Sequence, residues 1–182
     1  QAKQFIDFGG WTLLGKTLER IKGSIFDYPI ISTNLKYLKE IKKNLSKHKI
    51  KKYKIVLEPI KRNTGPAILA SALIKEIPEN QPLIFLSSDH LIEKTNNFNN
   101  LIKSNIKFLT DRNIFIFGIK PNNPSSQFGY FLSKKNKKLN KVSKFLEKPN
   151  KERAKNIIKK GGYWNSGIFL LKKSSLIYNF KK

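Results

Sequence analysis

Short polar clusters interrupt the apolar stretches of this chain, and each falls where a strand is expected to end. Asp89, in Ser87-Ser88-Asp89-His90, follows the run Leu83-Ile84-Phe85-Leu86. A carboxylate there can hold Mg2+ against a nucleotide phosphate. It can equally cap a helix or close a turn. Asn63-Thr64-Gly65-Pro66 lies between a strand and a helix. Backbone N–H groups at such a junction can face an anion or a base edge, or simply form a capping turn. Glu147-Lys148-Pro149 closes a further apolar run. An acid beside a base at a strand end can take a sugar hydroxyl and a phosphate, or remain two surface charges ahead of a helix. Trp164-Asn165-Ser166-Gly167 reads as a polar turn inside an aromatic and aliphatic run, which suits a sugar site or a tight β-turn alike.

The elements that must position these clusters follow from hydrophobic periodicity. Leu14, Leu18 and Ile21 predict a helix over 13–21. Leu35, Leu38, Ile41 and Leu45 predict another over 35–45. Strands are expected at 29–31, 53–57, 82–86 and 114–118, and helices at 64–77 and 98–109. The repeated β-α order argues for an α/β domain with a mostly parallel sheet. The runs Ile55-Val56-Leu57, Leu83–Leu86 and Ile114–Phe117 are apolar throughout, as expected of strands covered on both faces. After Gly118 the pattern changes to a loop at 121–127, strands at 130–133 and 142–146, a helix over 151–158 and a strand at 168–171. Residues 134–141 read as a charged hairpin loop. No internal repeat, linker or second domain is visible. In an open parallel sheet, ligands bind outside the carboxyl ends of the strands, where 58–67, 87–90 and 118–121 fall.

The chain has 182 residues, 39% hydrophobic and 12% aromatic, enough for one domain with a core. Cysteine is absent, which excludes a disulfide scaffold and a Cys-based zinc site. His48 and His90 are the only histidines, too few for a His-based metal site. No apolar run reaches the ~20 residues that span a bilayer, and residues 1–8 carry no signal-peptide pattern. A cytoplasmic location is the expectation. The net charge of +25 could attract nucleic acid, yet only four of the 37 basic residues are arginine. Base recognition favours arginine's bidentate fork. The lysine, asparagine and isoleucine excess is better read as a solvated surface under compositional bias. Nucleic acid is therefore not the expected partner, although a phosphorylated substrate would gain from the positive field.

The wording and order of the clusters carry a resemblance. Lys3-Gln4-Phe5, Thr17-Leu18-Glu19-Arg20, Leu57-Glu58-Pro59, Arg62-Asn63-Thr64 and Pro66-Ala67-Ile68 resemble successive motifs of the mannose-1-phosphate guanylyltransferases, a branch of the sugar nucleotidyltransferases. Ser88-Asp89-His90, Phe117-Gly118-Ile119-x-Pro121, Phe128-Gly129-Tyr130, Phe145-x-Glu147-Lys148-Pro149 and Tyr163-Trp164-Asn165-Ser166-Gly167-Ile168-Phe169 continue the series. The likeness runs from Lys3 to about Ser175. It implies a Rossmann-like nucleotidyltransferase domain with a mixed, mostly parallel central sheet flanked by helices.

The same resemblance implies transfer of GMP from GTP to mannose 1-phosphate, giving GDP-mannose and pyrophosphate with Mg2+ as cofactor. Lys3 would contact the reacting phosphates, and Glu58, Arg62, Asn63 and Thr64 would lie at the nucleotide. Asp89 would ligate Mg2+. Gly129 and Tyr130 would border the mannose, Glu147 would bind its hydroxyls and Lys148 its phosphate. Asn165, with the turn at Gly167, would complete the sugar pocket. The family's Gly-Gly-x-Gly-x-Arg-Leu loop and second Mg2+-binding aspartate have no counterpart within these 182 residues. The expectation is thus a single partial catalytic domain over 1–182, incomplete at both ends, with little turnover of its own and an apolar sheet edge. The sequence leaves room for a homo-oligomer. A non-catalytic sugar-nucleotide binder and a transferase for another sugar 1-phosphate are the competing readings.

Overall fold

The computed structural model describes residues 2–58, 64–136 and 139–180. The chain divides into two compact units, residues 1–114 with 170–182 and residues 115–169.

The first unit begins with a 3-10 turn, Lys3–Phe5, and helix α1, Leu13–Arg20. Thr12 starts α1 because its Oγ1 accepts the Gly15 N–H at 2.9 Å, satisfying a donor the helix leaves unpaired. Leu14 and Leu18, one turn apart, bury against Phe5, Ile41 and Leu45. Burying each such side chain contributes about 1.5–3 kcal/mol. The predicted helix over 35–45 is broken. Asn34 Oδ1 accepts the Lys36 N–H and sets a 3-10 turn at Leu35–Tyr37, and α2 proper is Leu38–Lys47. Leu35 is consequently 65% exposed rather than part of the buried face.

Strands β1 (Ile30–Thr33) and β2 (Lys54–Leu57) pair in parallel, Ile30 opposite Lys54 and Thr33 opposite Leu57. The intervening α2 supplies the crossover that a parallel pair requires. Then come α3 (Thr64–Ala72), β3 (Pro82–Phe85), α4 (Thr95–Ile106) and, near the end of the chain, α6 (Lys173–Phe180). Helix α4 buries Phe98 and Ile102, again one turn apart. Helix α6 was not anticipated, although Leu176 and Phe180 sit at helical spacing. The side chain of Lys173 is buried, and its Nζ donates to the carbonyls of Ile74 at 3.0 Å and Ile77 at 2.8 Å.

In the second unit, β5 (Tyr130–Lys134) lies between β6 (Lys141–Leu146) and β7 (Tyr163–Lys172), antiparallel to both. Strand β4 (Ile114–Ile119) also pairs with β7. Helix α5 (Lys151–Lys159) starts at Asn150, whose Oδ1 accepts the Arg153 N–H. It packs Ala154 and Ile157 on Tyr130. The predicted charged hairpin loop joins β5 to β6, with Lys134 opposite Lys141.

The architecture is therefore α/β with pairing partly parallel and partly antiparallel, not the mostly parallel sheet expected. The β5–β6 connection is too short for a crossover, so those strands must pair antiparallel. The wholly apolar strands are also less covered than predicted. Every residue of β3 is only half-buried, and Leu57 and Ile119 are 47% and 49% exposed. Among the described residues, no helix is long and apolar enough to cross a membrane.

Candidate substrate site

In the first unit, four of the residues expected to handle the nucleotide can be placed. Lys3 is exposed on its 3-10 turn and anchored by Phe5, which is buried and lies 5.4 Å from the Tyr37 ring. Glu58 follows β2. Its N–H donates to the Thr33 carbonyl at 2.8 Å, and its own carbonyl accepts from Asn34 Nδ2 at 3.2 Å. Its carboxylate accepts the Ser32 hydroxyl, which fixes the side chain beside β1. Sequence reasoning did not find Ser32, because a lone serine in a strand carries no positional signal. Thr64 is the first residue of α3, while Arg62 and Asn63 lie outside the described residues. Asp89 sits exposed in the turn after β3, and the adjacent His90 is half-buried. Among the described residues, no group of three or more His, Cys, Asp or Glu could hold a metal.

In the second unit, the strand register assembles most of the residues expected at the sugar. Tyr130 pairs with Leu146 on one side and Trp164 on the other. One step back along the antiparallel register, Gly129 faces Glu147 and Asn165. The Asn165 N–H donates to the Gly129 carbonyl at 2.8 Å. Side chains alternate across a sheet, so Gly129, Glu147 and Asn165 share one face. Phe145, two residues before Glu147, shares it too. A methyl group built on Gly129 would lie 2.9 Å from Glu147 Oε2 and 3.1 Å from Phe145 Cζ. The carboxylate and the ring therefore close over the glycine, and only a residue without Cβ leaves them there. Strand alternation alone puts Phe145 on the face of Glu147, two residues on.

The opposite face belongs to the core. Tyr130 is completely buried against α5, and its hydroxyl donates to the Ser125 carbonyl at 2.8 Å. Its side chain supports the platform from the core side. Trp164 also lies on this side, against Tyr130 and Phe128.

The expected turn at Trp164–Gly167 is instead part of β7. Incorporation into the long strand β7 overrides the turn propensity of Asn, Ser and Gly, leaving only a local kink. Gly167 has φ +69°, and Asn165 Oδ1 accepts its N–H at 3.1 Å. That bond occupies the Asn165 carbonyl oxygen and leaves the amide Nδ2 as the donor that can reach a ligand.

Lys148 is exposed with φ +40°, a left-handed conformation that costs a residue with a Cβ about 1–2 kcal/mol. The following Pro149 disfavours helical backbone at Lys148 as well. Strain of this kind persists where the surroundings over-determine it, and it often marks functional positions.

The chain is 34% identical over 194 aligned residues to mannose-1-phosphate guanylyltransferase 2 of Escherichia coli O157:H7, covering 99% of this chain and 40% of the relative. It is 38% identical over 153 residues to a mannose-1-phosphate guanylyltransferase of Escherichia coli, covering 78% of this chain and 30% of that protein. These 182 residues thus span less than half the length of the curated relatives they match. Among solved structures, a mannose-6-phosphate isomerase from Helicobacter pylori superposes with a TM-score of 0.84 at 29% identity, covering 98% of this chain and 68% of that one. The family model for nucleotidyl transferases matches residues 1–179, and the chain belongs to that family.

Proposed function

We propose that this chain contributes the greater part of a catalytic domain that transfers GMP from GTP to mannose 1-phosphate, producing GDP-mannose and pyrophosphate. The observation that carries the reading is the Gly129 platform, where Glu147, Asn165 and an aromatic ring are held by strand register on one face. Carboxylate, amide and ring are the groups that take sugar hydroxyls and an apolar sugar face. The matched relatives carry the same activity in their names.

In the reaction, a phosphate oxygen of mannose 1-phosphate attacks the α-phosphorus of GTP in line. The new O–P bond forms as the bond to the pyrophosphate oxygen breaks, and pyrophosphate leaves with that electron pair. The nucleophile is already anionic, so no strong general base is needed. The work falls to alignment and charge neutralisation. Glu147 and Asn165 Nδ2 hold the sugar hydroxyls, Lys148 takes the sugar phosphate, and Lys3 lies at the triphosphate. Glu58, braced by Ser32, and the start of α3 at Thr64 serve the nucleotide, together with Arg62 and Asn63.

Mg2+ is the cofactor this reading calls for. A lone exposed carboxylate such as Asp89 does not fit a metal held by protein groups alone. It does fit an ion that keeps its waters and takes most of its remaining ligands from phosphate oxygens. When bound, that ion neutralises phosphate charge.

The test is calorimetry of the chain with GDP-mannose, GDP-glucose and GDP in Mg2+, beside an assay of pyrophosphate release from GTP and mannose 1-phosphate. GDP-mannose should bind more tightly than the other two. Equal affinity for all three would remove the mannose assignment. Slight pyrophosphate release is what a partial domain would give, so the order of affinities decides the assignment.

A further inference from the structure

Arginine is rare in this lysine-rich chain, and Arg20 is only 3% exposed. It is the last residue of α1. Its Nη2 donates to the carbonyl of His90, 70 residues away, at 3.3 Å. Its Nε and Nη1 are buried without a partner among the described residues, as is Oγ1 of Thr17 one turn earlier. The neighbouring acid does not compensate the charge, because Glu19 faces Lys16 and His48, each at 3.4 Å. Burial lowers the pKa of the guanidinium, yet arginine stays cationic in proteins. A buried cation with two idle nitrogens is expensive for folding, and a hydrophobic residue of similar volume is often better tolerated. Stability therefore does not account for Arg20.

Its connections suggest another role. Helix α1 is locked by Leu14 and Leu18 into the core that also holds Phe5, two residues from Lys3. The other end of the link is His90, next to Asp89. One side chain thus ties the body carrying Lys3 to the turn carrying Asp89, within a single compact unit. A lysine in its place would lose the planar fork that directs one nitrogen at the carbonyl.

We propose that Arg20 is a positioning residue that holds the Asp89 turn in register with α1, and so with Lys3, through the His90 carbonyl. The effect on the turn stands on the geometry alone, whereas the consequence for nucleotide binding rests on the function proposed above.

The variants Arg20→Met and Arg20→Lys test this in the 182-residue chain. The first measurement is 15N relaxation at the amides of residues 88–92. Loss of the Arg20 bond should lower the order parameters there from about 0.85 towards 0.6 in both variants. The thermal midpoint of Arg20→Met should hold or rise. Unchanged order parameters at 88–92 overturn the proposal. So does a fall spread over the whole unit with a lowered midpoint, which would mark a general packing role.

The second measurement is GTP binding with Mg2+ and with EDTA. Arg20→Met should weaken binding about tenfold in Mg2+ only, through a loosened Asp89. Equal weakening in both conditions would break the link to Asp89. If the unaltered chain binds no GTP, the proposed function falls, and the relaxation result still decides the role of Arg20.

Discussion

Adding one methyl group at Gly129 should separate the platform's function from its stability. Gly129 is not among the residues with positive φ, so alanine can keep the same backbone. Its new Cβ would stand 2.9 Å from Glu147 Oε2 and 3.1 Å from Phe145 Cζ. Both atoms are the far ends of exposed side chains, Phe145 being 47% exposed, and both can swing outward. Overpacking in a closed core costs about 1–3 kcal/mol, but here the strain is relieved towards solvent. Against the remainder stands about 0.4–1 kcal/mol gained from a less flexible unfolded chain. Unfolding free energy should therefore change by less than about 1 kcal/mol.

Binding should respond differently. A displaced Glu147 loses its bond to the sugar, and a hydrogen bond to a charged group contributes about 1.5–3 kcal/mol. That corresponds to about 10- to 150-fold in affinity. Calorimetry of Gly129→Ala should show GDP bound as in the unaltered chain and the advantage of GDP-mannose over GDP reduced by this factor. Two results would refute the reasoning. One is an undiminished advantage for GDP-mannose. The other is a loss of more than about 2 kcal/mol in denaturant unfolding, which would make the glycine a requirement of folding rather than of the seat.

Other perturbations reach separate parts of the molecule. Burial holds the His48 imidazole below its ordinary 6.5, with Lys22, Lys47 and Lys16 reinforcing the shift and Glu19 opposing it. The unfolded chain then takes up a proton before the folded one does, so stability falls as pH drops below about 6.5 and through the lower folded value. His48→Gln should flatten that slope in thermal unfolding followed between pH 7.5 and 5. Lys173→Met should destabilise the first unit by about 2–3 kcal/mol in urea unfolding, because the Ile74 and Ile77 carbonyls lose their charged donor. Lys148→Gly should raise unfolding free energy by about 1 kcal/mol by relieving the left-handed strain, whereas Lys148→Ala should not. Both should weaken binding of mannose 1-phosphate, which titration calorimetry would read.

Much of this was legible from the order of residues. Leu14 with Leu18 and Phe98 with Ile102 repeat at the helical period, so α1 and α4 followed from the requirement that an amphipathic helix bury one stripe. Local chemistry likewise placed Asp89 after a strand and Glu147-Lys148 before a helix. What the sequence could not decide was pairing, because a strand's partner is chosen by atoms far away along the chain. Trp164-Asn165-Ser166-Gly167 has the composition of a turn, yet it lies within strand β7, and the pairing at its start sets Asn165 beside Gly129 and turns Tyr130 to the interior. Arg20 belongs to the same class. Its type and helical position were plain, but only folding brings it to a carbonyl 70 residues away, since nothing local to α1 specifies what its C-terminal end will meet.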